Sequence, residues 1–155
     1  MKRNLIIRLL AILLLVQIVH TGFGQDAPLR QKHFLIEKGA ALSGYDPVSY
    51  FSGKPQKGKI AYLHNGIPYK FTSNTSLEAF KKSPQKYEPA YGGWCAYAMG
   101  TKGEKVEVDP ENYKITNGTL YLFYKNFFSN TLDDWNKDEA KLKKKADENW
   151  KKTLN

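Results

Sequence analysis

Two Asn-Gly pairs, Asn65-Gly66 and Asn117-Gly118, each stand midway between runs of alternating apolar residues, and they limit the chain more than any other feature. A two-residue type I′ turn needs positive φ at both central positions, which Asn and Gly tolerate best. Each pair therefore predicts a hairpin together with its register. Over Ile60–Phe71 that register sets His64 against Ile67, Tyr62 against Tyr69 and Ile60 against Phe71, so all six side chains share one face. Ala61, Leu63, Pro68 and Lys70 take the other face, and Pro68, with no N–H to give, makes its strand an edge or a bulged one. The second hairpin, Tyr113–Tyr124, is expected to bury Tyr113, Ile115, Leu120, Leu122 and Tyr124.

Helix signals surround the hairpins. Asp46 followed by Pro47 reads as a cap and a first helical residue, opening one turn that delivers Val48, Tyr50 and Phe51 to the core. Thr75-Ser76-Leu77-Glu78 has capping-box spacing and predicts a helix to Lys82, with Leu77 and Phe80 inward. Ser83-Pro84 opens a further turn that carries Tyr87, and Asp109-Pro110 is another cap-and-proline pair. From Asn130 to Lys152, Trp135, Leu142, Ala146 and Trp150 share a stripe, with Glu139–Lys143 and Glu148–Lys152 at favourable spacing. His33–Ile36 reads as an opening strand. The class is α+β: a small antiparallel sheet built from the two Asn-Gly hairpins, packed with short helices and a longer C-terminal helix.

At the N-terminus, Lys2, Arg3 and Arg8 precede and punctuate an apolar run from Leu5 to Val19, and Gly22-Phe23-Gly24 follows. This is the layout of a signal peptide over residues 1–24, cleaved near Gly24 or Gln25. The run falls short of the roughly 20 residues that span a bilayer, so an uncleaved anchor is the weaker reading. The expected product is exported, to the periplasm or outside the cell, with no membrane span after cleavage. Residues 25–39 read as a loose polar leader and 40–155 as one domain, a size that builds a single core. With one cysteine, no internal disulfide can form, and packing alone must hold the fold. Removing the signal leaves 21 Lys and Arg against 15 Asp and Glu. That is a mild basic excess, concentrated toward the C-terminus and without the groove a nucleic acid needs. A monomer is the expectation.

The chemistry-bearing stretch is Tyr91-Gly92-Gly93-Trp94-Cys95-Ala96-Tyr97-Ala98-Met99. Its glycine pair lets backbone approach backbone, or a ligand, closely. A short helix beginning near Gly93 would put Cys95 in its first turn and Met99 one turn further on the same face. A thiolate and a thioether so placed suit Cu(I), with His64 as a third donor if the hairpin tip reaches them. The competing reading is that all three are core, since free Cys and Met both fill apolar interiors. There is no CxxC motif, no Ser-His-Asp arrangement and no phosphate-binding loop, so an enzyme is not expected.

Taken in order, Gly44-Tyr45-Asp46-Pro47-Val48-Ser49-Tyr50-Phe51, Tyr69-Lys70-Phe71-Thr72-Ser73 with Phe80 and Pro84 to Tyr87, Tyr91-Gly92-Gly93-Trp94-Cys95-Ala96, Asp109-Pro110 and Gly118-Thr119-Leu120-Tyr121-Leu122 resemble the exported bacterial YHS-domain proteins. The resemblance runs from about residue 40 to Trp150. It implies a small α+β domain, and an association of the wider family with heavy metals, copper above all. The metal-associated relatives carry a pattern like Phe-Cys-Ser-x-x-Cys ahead of their helix phenylalanine. Here Thr72 and Ser76 occupy the matching positions before Phe80, and hydroxyls do not replace thiolates for soft ions. The expectation is a non-enzymatic binding or accessory module with Cys95, Met99 and His64 as candidate copper donors. The alternatives are an interaction or structural domain with Cys95 in its core, and, less favoured, a thiol-dependent redox protein.

Overall fold

The computed structural model describes residues 27–154; the expected signal peptide lies outside them. The chain runs through helix α1 (Ala27–His33), strands β1 (Ile36–Glu37) and β2 (Ala40–Ala41), two 3-10 turns (Leu42–Gly44 and Ser49–Ser52), and the hairpin β3 (Ile60–His64) and β4 (Ile67–Phe71). Helices α2 (Asn74–Lys82) and α3 (Pro84–Tyr87), a 3-10 turn (Ala90–Gly93) and helix α4 (Ala96–Thr101) lead to the hairpin β5 (Asp109–Thr116) and β6 (Thr119–Phe123). Helices α5 (Thr131–Lys137) and α6 (Glu139–Leu154) close the chain. The class is α+β: six helices and three two-stranded antiparallel sheets among the described residues. The two Asn-Gly hairpins stay in separate sheets, and β1 with β2 forms a third that the sequence does not announce.

Register follows the turns. His64 pairs with Ile67, Tyr62 with Tyr69 and Ile60 with Phe71. In the second hairpin Tyr113 pairs with Leu122 and Ile115 with Leu120, and a bulge separates Tyr113 from Asp109. The expectation of one buried face for this hairpin is only partly met. Leu120, Tyr121, Leu122 and Phe123 are all buried, so β6 is covered on both sides, whereas Tyr113, Ile115 and Tyr124 are half-buried. The central stretch runs along the edge of β6 through parallel bridges, Pro89 to Leu120 and Cys95 to Leu122, and a separate core cluster covers each face. Leu120 and Leu122 join Leu42, Tyr45 and Tyr50 in one core cluster. Tyr121 and Phe123 face Tyr91, Met99, Trp135 and Ala146 in another. The third gathers Ala41, Ile67, Tyr69, Phe71 and Phe80 under the first hairpin.

Several local expectations are corrected. Residues 27–33 are a docked helix rather than a loose leader: Arg30 pairs with Glu88 at 2.5 Å, and Gln31 Nε2 donates to Gly66 O at 2.7 Å. Only Ile36 of the expected 33–36 strand is extended pairing backbone. Helix α2 is capped by Ser73, whose Oγ accepts the Ser76 N–H at 3.1 Å, because Ser73 is the last extended residue before the helix. Asp109-Pro110 starts no helix. It sits in β5, where Asp109 Oδ1 accepts the Glu111 N–H at 2.9 Å and stabilises the bulge. The C-terminal helix is two helices broken at Asp138 (φ −152°, ψ 51°). Glu139 turns from Lys143 to Lys114 and Thr116 on β5, at 2.6 and 2.8 Å. Among the described residues no helix is long and apolar enough to cross a membrane.

Candidate functional site

The central stretch cannot start a helix at Gly93. Tyr91 and Gly92 take left-handed backbone (φ 54° and 62°), and Trp94 is extended, so α4 begins at Ala96. A Cβ on Gly92 would lie 2.8 Å from the His33 carbonyl oxygen, and the Gly92 carbonyl accepts the Leu35 N–H at 2.9 Å. The close approach that the glycines allow is therefore to the chain's own backbone. Cys95 becomes the N-cap residue, ahead of the first turn instead of within it, and its carbonyl accepts the Met99 N–H at 3.0 Å.

The Cys95 side chain is 0% exposed. Its Sγ accepts the Tyr124 N–H at 3.3 Å and lies 3.4 Å from Thr131 Oγ1. The single hydroxyl proton of Thr131 goes to the Tyr124 carbonyl at 2.9 Å. The remaining contact is left for the thiol to donate. Sulfur, hydroxyl, carbonyl and amide thus close a ring of hydrogen bonds through Cys95, Thr131 and Tyr124.

Met99 is one turn along α4 and also 0% exposed, packed with Tyr121, Phe123 and Trp135. His64 is elsewhere. Its ring sits edge-on to Phe80 with centroids 5.4 Å apart, beside Tyr62, and its Nε2 is 3.3 Å from Asn65 Nδ2. Burial lowers its pKa, Arg30 adding and Glu88 opposing, so the neutral ring is favoured at neutral pH. The structure brings Cys95 and Met99 to the same turn of helix but seats them in different surroundings, and it puts His64 in a third. Among the described residues no group of three or more His, Cys, Asp or Glu is placed to hold a metal ion.

The two positions where the resemblance expects cysteines do converge, on a group that sequence reasoning took for a cap alone. Asp46 is 0% exposed. Its Oδ1 accepts the Val48 N–H at 2.9 Å, the expected capping bond. Its Oδ2 accepts the Thr72 N–H at 2.9 Å, the Thr72 hydroxyl at 2.8 Å and the Ser76 hydroxyl at 2.5 Å. Both hydroxyl protons are spent on a carboxylate, and oxygen donors are hard, so this site does not fit a soft ion. The signal that pointed to it was the pairing of Thr72 with Ser76 in one motif; nothing local tied either to Asp46, which lies 26 residues before Thr72.

Two surface hollows, of about 650 and about 530 Å³, flank Lys82 and Ser83. Asn74, Thr75, Glu78 and Tyr87 line the larger; Arg30, His64, Asn65 and Glu88 line the smaller. Neither is lined by Cys95 or Met99. Within the smaller, Glu88 is already engaged by Arg30 and by the Tyr69 hydroxyl at 2.9 Å. Elsewhere, the Tyr45 hydroxyl donates to Glu111 at 2.5 Å. That bond, with burial and the Glu111 charge, pushes its pKa up to about 12.

Comparison with known proteins finds no matching family model, no matching curated protein and no matching solved structure.

Proposed function

We propose that this chain is an exported, non-enzymatic module of YHS type that acts by binding other molecules at its surface, with Cys95 a packing residue. The observation that carries this reading is the closed ring through Cys95, Thr131 and Tyr124 around a sulfur that is 0% exposed. A thiol in that position has no face left for an ion or a substrate. The histidines of the described chain give it no base: His64 packs on Phe80, and His33 is buried with Lys105 3.3 Å from its Nδ1. Burial first, and then Lys105 and Lys32, lower the His33 pKa. Export is supported by the basic start, the short apolar run and the small-residue exit in residues 1–24. The family assignment is supported by the motif order between about residue 40 and Trp150.

The test is an anaerobic Cu(I) titration of the purified protein in competition with a chelator. Wild type is expected to take up no copper. Cys95→Ser is expected to leave that unchanged while costing roughly 1–3 kcal/mol of stability, because a shorter hydroxyl cannot keep both contacts of the sulfur. Stoichiometric uptake that Cys95→Ser abolishes and Met99→Leu weakens would replace this reading with soft-metal binding at Cys95 and Met99.

A further inference from the structure

Between β6 and α5 the chain makes a short excursion, residues 125–130, whose feet are tied to the fold and whose tip is not. Lys125 and Asn130 face each other in an antiparallel bridge, and the Asn126 N–H donates to the Ser129 carbonyl at 2.9 Å. The Asn126 side-chain oxygen accepts the N–H groups of Phe128 and Ser129 at 2.9 and 2.8 Å, and its Nδ2 donates to the Tyr124 hydroxyl at 2.6 Å. At the other foot, Asn130 caps α5 through the Leu132 N–H at 3.2 Å and accepts Asn112 Nδ2 at 2.8 Å. On this braced support Phe127 and Phe128 are 93% and 90% exposed, their rings edge to face at 5.0 Å. Among the described residues the next most exposed large apolar side chain, Leu63, is at 64%, on the outer face of β3.

We infer that this loop inserts its two rings into the interface of an anionic lipid bilayer and so holds the module at a membrane surface. Three observations select lipid as the occupant. The two rings are almost wholly exposed and pack only on each other, so both are free to enter an apolar medium together. Three of the four N–H groups from Asn126 to Ser129, all but that of Phe127, are bonded inside the loop, which lowers the cost of bringing this backbone into the headgroup region, where water serves the rest. The charge is complementary: Lys125 at the foot makes no ion pair among the described residues, and the chain without residues 1–24 carries 21 Lys and Arg against 15 Asp and Glu. Anionic headgroups attract such a surface, and apolar side chains convert the attraction into residence. The acidic groups that follow, Asp133 and Asp134, begin α5, and Asp134 is held by Lys137 at 2.6 Å.

The experiment is co-sedimentation with vesicles of phosphatidylcholine containing phosphatidylglycerol, at low ionic strength. Wild type is expected to bind. The double variant Phe127→Ser, Phe128→Ser is expected to bind at least about tenfold more weakly, the loss that removing even one buried ring entails, with its thermal midpoint unchanged because the rings touch solvent. Lys125→Glu is expected to weaken binding to these vesicles while leaving the rings intact. No binding by wild type would overturn the inference. So would equal binding by the double variant, which would mean lysine attraction alone. A dimer that forms without lipid and is lost in the double variant would also overturn it, assigning the rings to a second copy.

Discussion

Asp46→Ala is expected to lower stability by about 2–4 kcal/mol, because it removes a 0% exposed acceptor that four hydrogen bonds share. The substitution leaves four donors facing an empty site: the N–H groups of Val48 and Thr72 and the hydroxyls of Thr72 and Ser76. A donor left unpaired costs roughly 1–3 kcal/mol where it stays buried, and less where it can turn to water, as the hydroxyl of the exposed Thr72 can. Asp46→Asn separates shape from charge. It keeps the volume but presents an NH₂ group either to the Val48 amide or to the three donors now on Oδ2, so it is also expected to lose several bonds. Thr72→Val and Ser76→Ala remove one side-chain donor each and are expected to cost about 1 kcal/mol apiece. Chemical denaturation with an unchanged slope measures all four. An Asp46→Ala variant within about 0.5 kcal/mol of wild type would mean that this hub contributes no more than an ordinary surface position.

Gly66→Val is expected to cost about 2–4 kcal/mol and Gly118→Val about 1–3 kcal/mol, and the difference between them is informative. Both glycines have positive φ, 81° and 75°, where a β-branched residue is strained by about 1–3 kcal/mol. At Gly118 nothing else stands within 4 Å of the added Cβ. At Gly66 the Cβ would lie 2.8 Å from the Ala27 Cβ and 2.9 Å from the Ala27 carbonyl oxygen. Docking of α1 must therefore loosen as well. Denaturation of the two variants measures the difference, and a protein shortened to remove Ala27–His33 should bring the two costs together. Equal costs in the full chain would mean that α1 does not rest on the hairpin tip.

The hairpins were legible because turn chemistry and period-two patterning are both local. An Asn-Gly pair and its flanking residues determine a register without reference to anything distant, and the pairing of His64 with Ile67 follows directly. What covers each face is not local. Leu120 and Tyr121 look like inward and outward positions of one strand, and only the two separate core clusters, one on each face, bury both. The same limit governs the helix ends. Ser73, Thr75 and Ser76 are each good capping residues by type. The structure uses Ser73 for the helix and sends the Ser76 hydroxyl to Asp46 across 30 residues of sequence. Likewise Arg30 and Gln31 read as part of a polar leader until their partners, Glu88 and Gly66, are known. Cys95 stood out in the sequence as a candidate donor with core packing as the competing reading, and residue types alone did not decide between them. Its capping position depends on left-handed backbone at Tyr91, a non-glycine residue, which residue types alone do not announce.

The measurement that bears most directly on the central claim is thiol labelling of the native protein at neutral pH, followed against denaturant concentration. Cys95 is the one thiol in the chain, so the signal belongs to a single site. With its sulfur 0% exposed and bonded to Tyr124 and Thr131, labelling is expected to track global unfolding, rising with denaturant along the same slope as the equilibrium transition. Rapid labelling in the absence of denaturant, at a rate that denaturant barely changes, would show an accessible thiol and contradict the account.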